Sequence, residues 1–166
     1  MNIRTRFLLV VLAGASLALA GCGRAEPSSP AAAVPEAPAD GKRAIALTAD
    51  DTMKFSLAEI RAKPGEALRL TLKNTGRMPK QAMAHNWVLV QPMSDAELQA
   101  FAMAAAGKAP DYLPADRALV LASTRLLGGG ESDTIEITAP ATPGEYPFMC
   151  TFPGHFMLMK GKLIVN

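Results

Sequence analysis

The chain has 166 residues, of which 49% are hydrophobic, 19% charged and 5% aromatic. That length suits one globular domain with terminal extensions, since domains commonly run to about 100–200 residues. The formal net charge is only +2, and Arg4 and Arg6 near the N-terminus account for it. The other basic residues are scattered singly, which argues against the clustered basic face that a nucleic-acid partner requires.

The first 21 residues have the features of an export signal. A short cationic start precedes the apolar run Phe7–Leu19, which is too short to remain as a helix across a hydrocarbon core of about 30 Å. The run ends in the letters LAGC, whose cysteine is Cys22. This ending resembles the site at which bacterial lipoproteins are cleaved and acylated. We therefore predict a signal peptide over residues 1–21 and lipidation of Cys22, with an ordinary signal peptide cleaved nearby as the alternative.

Residues 22–42 are predicted to be a tether. They hold four prolines among Ala, Ser and Glu, with Val34 as the single sizeable apolar side chain, and cannot bury enough surface to fold. At about 3.1 Å per residue, an extended tether reaches roughly 60 Å. Gly23, rather than Asp, follows the cysteine, which in such lipoproteins implies the outer membrane. The folded domain, residues 43–166, would then lie in the periplasm or at the cell surface.

Residues 43–166 are predicted to be mainly β-structure. Leu68, Leu70 and Leu72 alternate with polar residues, which is the period of a half-buried strand over residues 67–73. Ser94 and Glu97 resemble a capping box and predict one helix over about 94–107. We predict an all-β fold, a Greek-key β-sandwich or barrel of seven or eight strands with this helical insertion. The other strand candidates, separated by Gly and Pro, cover residues 43–49, 86–91, 118–122, 133–138, 144–150 and 160–165.

Cys150 is the one cysteine that remains once Cys22 carries lipid, so a structural disulfide is excluded. In an exported protein a lone thiol is unusual, and a buried inert cysteine is the plain explanation. The residues that follow Cys150 favour a different explanation. His155 and Met159 follow at spacings of five and four residues, and the intervening Pro153-Gly154 turns the chain so that the flanking side chains can face one point.

The only other histidine, His85, directly precedes the apolar stretch 87–90. Two imidazoles and a thiolate in a plane, with a weak axial thioether, form a blue-copper site. Zinc also accepts two histidines and a cysteine, but a catalytic zinc site keeps an open position for water. No Asp or Glu flanks the loop to act as a general base, so the pattern favours electron transfer over hydrolysis and predicts a protein that is not an enzyme.

Two segments resemble the azurins, within the cupredoxin family. Met83–Leu89 is similar to the azurin segment around the first histidine ligand, and Cys150–Gly161 is similar to its ligand loop. The likeness continues through Asp111–Leu113 and Thr124–Glu131, and it covers about residues 43–166. The leader and the Ala/Pro-rich tether also resemble those of lipid-modified azurins displayed on bacterial outer membranes.

The resemblance implies one copper ion, bound equatorially by His85, Cys150 and His155 and axially by Met159. It implies a further weak contact from the carbonyl of Ala84, where azurins commonly have Gly. Outer contacts would come from Asn86, which joins the two ligand-bearing segments, from the neighbouring Thr151, and from Phe152, whose amide would point at the sulfur with that of Asn86.

Two departures from the azurins matter. The disulfide near the N-terminus has no cysteines here, which removes about 2–4 kcal/mol of stabilisation on the loop-entropy estimate. A histidine that titrates outside the site in some azurins corresponds to Asn74, so that switch should be absent.

The resemblance also implies that His155 meets its partners through an apolar surface. Those partners would be redox proteins, such as a c-type cytochrome donor and a terminal reductase or peroxidase. A second hypothesis remains open, a copper-delivery lipoprotein that binds and hands on the ion without carrying electrons. The residues expected around His155 are Met53, Met78, Ala82, Met83, Phe152, Pro153 and Met157. Methionine is polarizable and adaptable, which suits brief contacts with more than one partner.

Overall fold

The computed structural model describes residues 41–166, and the predicted signal peptide, the lipidation at Cys22 and nearly all of the tether lie outside this range. The described chain contains eight strands, one α-helix and a short 3-10 helix at His155–Met157. No helix in this range is long and apolar enough to cross a bilayer. The strands are β1 (Arg43–Ala49), β2 (Glu59–Ala62), β3 (Ala67–Asn74), β4 (Val88–Val90), β5 (Val120–Ser123), β6 (Ser132–Thr138), β7 (Gly144–Met149) and β8 (Lys160–Val165); the helix is α1 (Asp95–Ala106).

The strands form two sheets, in the orders β1-β3-β6 and β2-β8-β7-β4-β5. The pairs β1–β3 and β2–β8 are parallel, whereas β6 on β3 and β7 on both β4 and β8 are antiparallel. The predicted all-β fold with one helical insertion is confirmed. The short strand β2 was not predicted, because its four residues include only one large apolar side chain, Ile60.

The main core lies between the two sheets. Leu68, Leu70 and Leu72 on β3 are fully buried, as their alternation predicts, and Trp87 and Phe148 fill the space beside them with ring centroids 5.4 Å apart. Burying such side chains contributes roughly 1.5–3 kcal/mol each before the ordering entropy is counted.

A smaller apolar cluster lies beneath α1. Val88 and Val90 face the helix residues Leu98 and Phe101, while Leu89 between them packs into the main core. Strand β4 is therefore buried on both faces, which explains its continuous apolar sequence. The predicted capping box is present, since Ser94 Oγ accepts from the Glu97 N–H and the Ser94 N–H donates to Glu97.

The pairing of β4 with β7 brings the two candidate ligand segments together. Val88 is the antiparallel partner of Met149, so residues preceding Val88 run alongside residues following Met149. Strand β8 returns antiparallel from Lys160, which pairs with Met149. The loop 150–159 is thus closed at its base and held at the same end of the sandwich as His85. The predicted strand 86–91 is shorter here, because Asn86 and Trp87 belong to this junction rather than to β4.

Candidate metal centre

Three buried side chains converge at this end of the sandwich. The ligand atoms of His85, Cys150 and His155 lie within 4.8 Å of one another, the one such group of His, Cys, Asp or Glu found in residues 41–166. Two of the residues are completely shielded from solvent, and His155 retains 4% exposure. Side chains separated by 65 positions in sequence, His85 and Cys150, are therefore in contact.

The spacing of these atoms suits a single ion. Cys150 Sγ lies 4.0 Å from Nδ1 of His85 and 3.7 Å from Nδ1 of His155. For metal bonds of about 2.0 Å to nitrogen and about 2.3 Å to sulfur, the nitrogen–sulfur separation is about 3.7 Å in a trigonal plane and about 3.5 Å in a tetrahedron. The observed distance to His155 matches the trigonal value, and the distance to His85 is slightly longer, so both lie closer to the trigonal than to the tetrahedral separation.

Met159 and Ala84 border the same cluster. Met159 is fully buried, and its backbone joins the ligand loop on both sides: its carbonyl accepts from the Cys150 N–H at 2.9 Å and its N–H donates to the His155 carbonyl at 2.8 Å. The carbonyl oxygen of Ala84 lies 3.9 Å from Cys150 Sγ. A soft thioether and a backbone oxygen are thus available beside the three converging side chains.

The imidazole of His85 is oriented by a backbone carbonyl that the sequence did not indicate. Nε2 of His85 lies 3.0 Å from the Asp50 carbonyl, so this nitrogen carries the proton and Nδ1 presents its lone pair. The same carbonyl accepts the Met53 N–H at 3.0 Å. Asp50 follows β1, far from both ligand segments in sequence, and a backbone acceptor leaves no trace in residue type.

Two carboxylates that do not flank the ligand loop lie near His85 in the fold. Asp50 and Asp51 are close enough to influence the charge of His85. Both carboxylates are engaged elsewhere, Asp50 with the N–H and hydroxyl of Thr52 and Asp51 with the N–H of Arg77 at 2.8 Å. Neither belongs to the converging group.

Burial keeps all three converging groups uncharged in the absence of metal. It raises the pKa of the Cys150 thiol to about 11, against the backbone N–H groups of Asn86 and Phe152, which favour the thiolate. Burial also lowers the pKa of His155 to about 4, with the nearby His85 adding to the effect. The pKa of His85 is lowered by burial too, although the Asp50 carbonyl opposes this. Neutral imidazoles are ready to bind a metal, whereas the thiol must first lose its proton.

Asn86 joins the two ligand segments directly. Its Nδ2 donates to the Thr151 hydroxyl at 2.8 Å, and its Oδ1 accepts the Thr151 N–H at 2.9 Å. These buried bonds extend the β4–β7 pairing by one step, because Asn86 stands two residues before Val88 and Thr151 two after Met149. Phe152 then packs against His155 with ring centroids 4.7 Å apart. Two of the predicted neighbours, Asn86 and Thr151, thus bond to each other between the ligand segments, and the third, Phe152, contacts His155 directly.

The comparisons with known proteins agree with this geometry. The family model of copper-binding proteins of the plastocyanin/azurin family matches residues 43–166. An azurin of Achromobacter denitrificans is 40% identical over 122 residues, covering 70% of this chain and 80% of that protein. The solved structure of auracyanin A, a blue copper protein from Chloroflexus aurantiacus, superposes with a TM-score of 0.69 at 34% identity, covering 76% of this chain and all of that one.

The chain belongs to the plastocyanin/azurin family of copper-binding proteins. The resemblance found in the sequence is thereby confirmed, with copper as the cofactor and the cupredoxin fold. His85, Cys150, His155 and Met159 are positioned as a blue copper site. The donor types fit copper, because a thiolate and a thioether suit Cu(I) and imidazoles suit Cu(II). Membership makes the chain a blue copper electron carrier.

One further relative is similar beyond the folded domain. Outer membrane protein H.8 of Neisseria meningitidis serogroup B is 35% identical over 178 residues, covering 93% of this chain and 96% of that protein. Residues 43–166 alone provide a smaller share of the chain, so this likeness extends into the N-terminal segment.

The surface expected around His155 is mostly exposed. Met157 and Met78 are 61% and 43% exposed, and Pro153 and Ala82 are exposed as well. Met53 and Met83 are half-buried, with Met53 packed against the main core, and Phe152 is buried. Leu158, not predicted, adds a side chain with 60% exposure next to Met157.

Copper binding should expel one proton per protein, taken from Cys150. Burial lowers the pKa of both imidazoles below the ordinary value of 6.5 and raises the pKa of the thiol to about 11, so between about pH 7 and 11 both imidazoles are neutral and only the thiol is protonated. Apparent affinity therefore rises about tenfold per pH unit across this window, because alkali favours the thiolate that binds. Calorimetric titration of the apoprotein in buffers of different ionisation enthalpy measures the number of protons released per copper ion bound. Release near zero would mean a pre-ionised thiol, and release near two a charged imidazole; either contradicts the assignment.

Proposed function

We propose that Nδ1 of His85, Nδ1 of His155 and Sγ of Cys150 would hold the copper, with the Met159 thioether as a weaker ligand and the Ala84 carbonyl as a further weak contact. The observation that carries this proposal is the convergence of three buried donors with separations of a trigonal site. When bound there, copper supplies the exchange of one electron between its +1 and +2 states.

The enclosure of the donors favours a carrier over a delivery protein. A site that hands its ion to another protein needs ligands that solvent or a partner can reach, whereas His85 and Cys150 are fully buried. Apolar surroundings exclude water, so little solvent must reorganise when the charge of the site changes by one. We propose no catalytic role, since four protein ligands leave a substrate no coordination position.

Electrons would enter and leave through the edge of His155. This ligand keeps 4% exposure, and the apolar side chains of Pro153, Met157 and Leu158 lie around it in the chain. An apolar surface of this kind suits short-lived encounters, which usually bury less than about 1,200 Å². We propose redox proteins as partners, with c-type cytochromes as donors and a terminal reductase or peroxidase as acceptor.

We also propose that a lipid on Cys22 anchors the protein to the outer membrane. The support is the LAGC ending of the leader together with the likeness to an outer membrane protein that extends beyond the folded domain. Acyl chains contribute about 0.8 kcal/mol for each buried methylene, so two or more chains give stable attachment.

Titration of the purified protein with Cu(II) should produce an intense blue absorption that saturates at one equivalent. Cys150→Ala should abolish the band, because it arises from charge transfer between the thiolate and the metal. Cys22→Ser is the matched control, since it removes the chain's other cysteine, and it should keep the full band. An intense blue colour in Cys150→Ala, or its loss in Cys22→Ser, would refute the ligand assignment.

The same two variants test the lipid anchor with their roles exchanged, so that Cys150→Ala is now the control. Cys22→Ser should move the protein from the membrane fraction of the producing bacterium to the soluble fraction and should end its labelling by a fatty-acid analogue. Cys150→Ala should stay labelled and membrane-bound. Recovery of unlabelled wild-type protein with a free thiol at Cys22 would instead support an ordinary signal peptide.

A further inference from the structure

A short segment after α1 contacts both residues that donate to the copper-binding sulfur. The carbonyl of Asp111 lies 3.5 Å from Nδ2 of Asn86. The adjacent ring of Tyr112 packs edge-on against Phe152, with centroids 5.2 Å apart and planes at 71°. Asn86 and Phe152 are the residues whose backbone N–H groups favour the Cys150 thiolate and so hold down the pKa of the thiol. Asp111-Tyr112 belongs to neither sheet, yet it contacts both Asn86 and Phe152.

Tyr112 is held in place by the local chain despite an unfavourable backbone. Its φ is 52°, in the left-handed region that bulky residues rarely adopt. Its N–H donates to the Lys108 carbonyl at 2.7 Å, which anchors the segment to the end of α1. Outliers of this kind persist where surrounding contacts over-determine them, and they cluster at functional sites.

The neighbouring side chains connect this segment to both apolar clusters. Tyr112 packs against the main core, while Leu113 is buried with Leu98 and Phe101 beneath α1. Contacts beneath α1 therefore fix the position of Tyr112 on one side, and the Tyr112 ring contacts Phe152 on the other. In this way the helical insertion, which carries none of the four proposed ligands, reaches the ligand loop.

We propose that Tyr112 is a positioning residue for the copper site, which holds Phe152 so that its N–H points at Cys150 Sγ and thereby helps set the reduction potential. This inference rests on the proposed ligand set. N–H donors stabilise negative charge on the sulfur, and that charge is greater when the metal carries one positive charge fewer. Loosening the Phe152 N–H therefore disfavours the reduced state.

The test compares Tyr112→Leu, which removes the ring, with Tyr112→Phe, which keeps it and removes only the hydroxyl. Tyr112→Leu should lower the reduction potential and move the sulfur-to-copper band to longer wavelength, with one copper still bound. Tyr112→Phe should match the wild type in both. Tyr112→His, with a smaller ring, should shift both quantities in the same direction as Leu and gives the answer if the leucine variant does not fold.

A second readout needs no metal. In the apoprotein, hydrogen exchange of the Phe152 amide should be roughly two- to tenfold faster in Tyr112→Leu than in the wild type, the range expected when one aromatic pair is lost. Exchange of amides in β3, in the opposite sheet, should be unchanged, which separates a local effect from general destabilisation.

A double-mutant cycle with Phe152→Leu identifies the route. If Tyr112 acts through the Phe152 ring, Tyr112→Leu should shift the potential less in the Phe152→Leu background than in the wild type. Equal shifts in both backgrounds, or an unchanged potential and unchanged Phe152 exchange in Tyr112→Leu, would overturn the inference. Neither result would affect the ligand assignment, which the blue absorption of the Tyr112 variants tests separately.

Discussion

The antiparallel pairing of β4 with β7 is the constraint on which the site depends. It fixes Val88 opposite Met149 and so places the segment before β4 alongside the loop after β7. The Asn86–Thr151 side-chain bonds continue that pairing past the ends of the strands. A slip of one residue would turn every side chain to the opposite face and separate His85 from Cys150. The large apolar core between the sheets resists such a slip, so fold stability and site geometry have one origin.

Burial has two opposing effects on this site. It excludes water and favours neutral donors, as the raised pKa of Cys150 and the lowered pKa of His155 indicate. It also makes the thiolate costly unless a cation and N–H donors compensate its charge. The bonds from Cys150, His155 and Met159 to carbonyls within the ligand loop hold the donors in place independently of any metal. The protein backbone, rather than the ion, therefore sets where the ligands lie.

Much of this was predictable, and the remainder has a physical explanation. The loop 150–159 carries three chemically distinctive donors at close spacing, and the Leu68, Leu70 and Leu72 alternation predicts its strand. Strand β2 was not predicted, because four residues with one large apolar side chain show no periodic pattern. Two other features were not predicted from the sequence. They are the Asp50 carbonyl that orients His85 and the left-handed backbone of Tyr112, because residue type does not reveal backbone acceptors or tertiary contacts. The nearness of Asp50 and Asp51 to His85 is likewise a tertiary contact between segments that are far apart in sequence.

The chain itself builds a cage whose donors stay in place whether the site holds copper in either oxidation state or no metal. Crystal structures of the apo, Cu(I) and Cu(II) forms test it most directly. We expect the separations from Cys150 Sγ to Nδ1 of His85 and of His155, 4.0 and 3.7 Å, to agree among the three forms within about 0.2 Å. Rotation of either imidazole out of the cluster in one of these forms would contradict it.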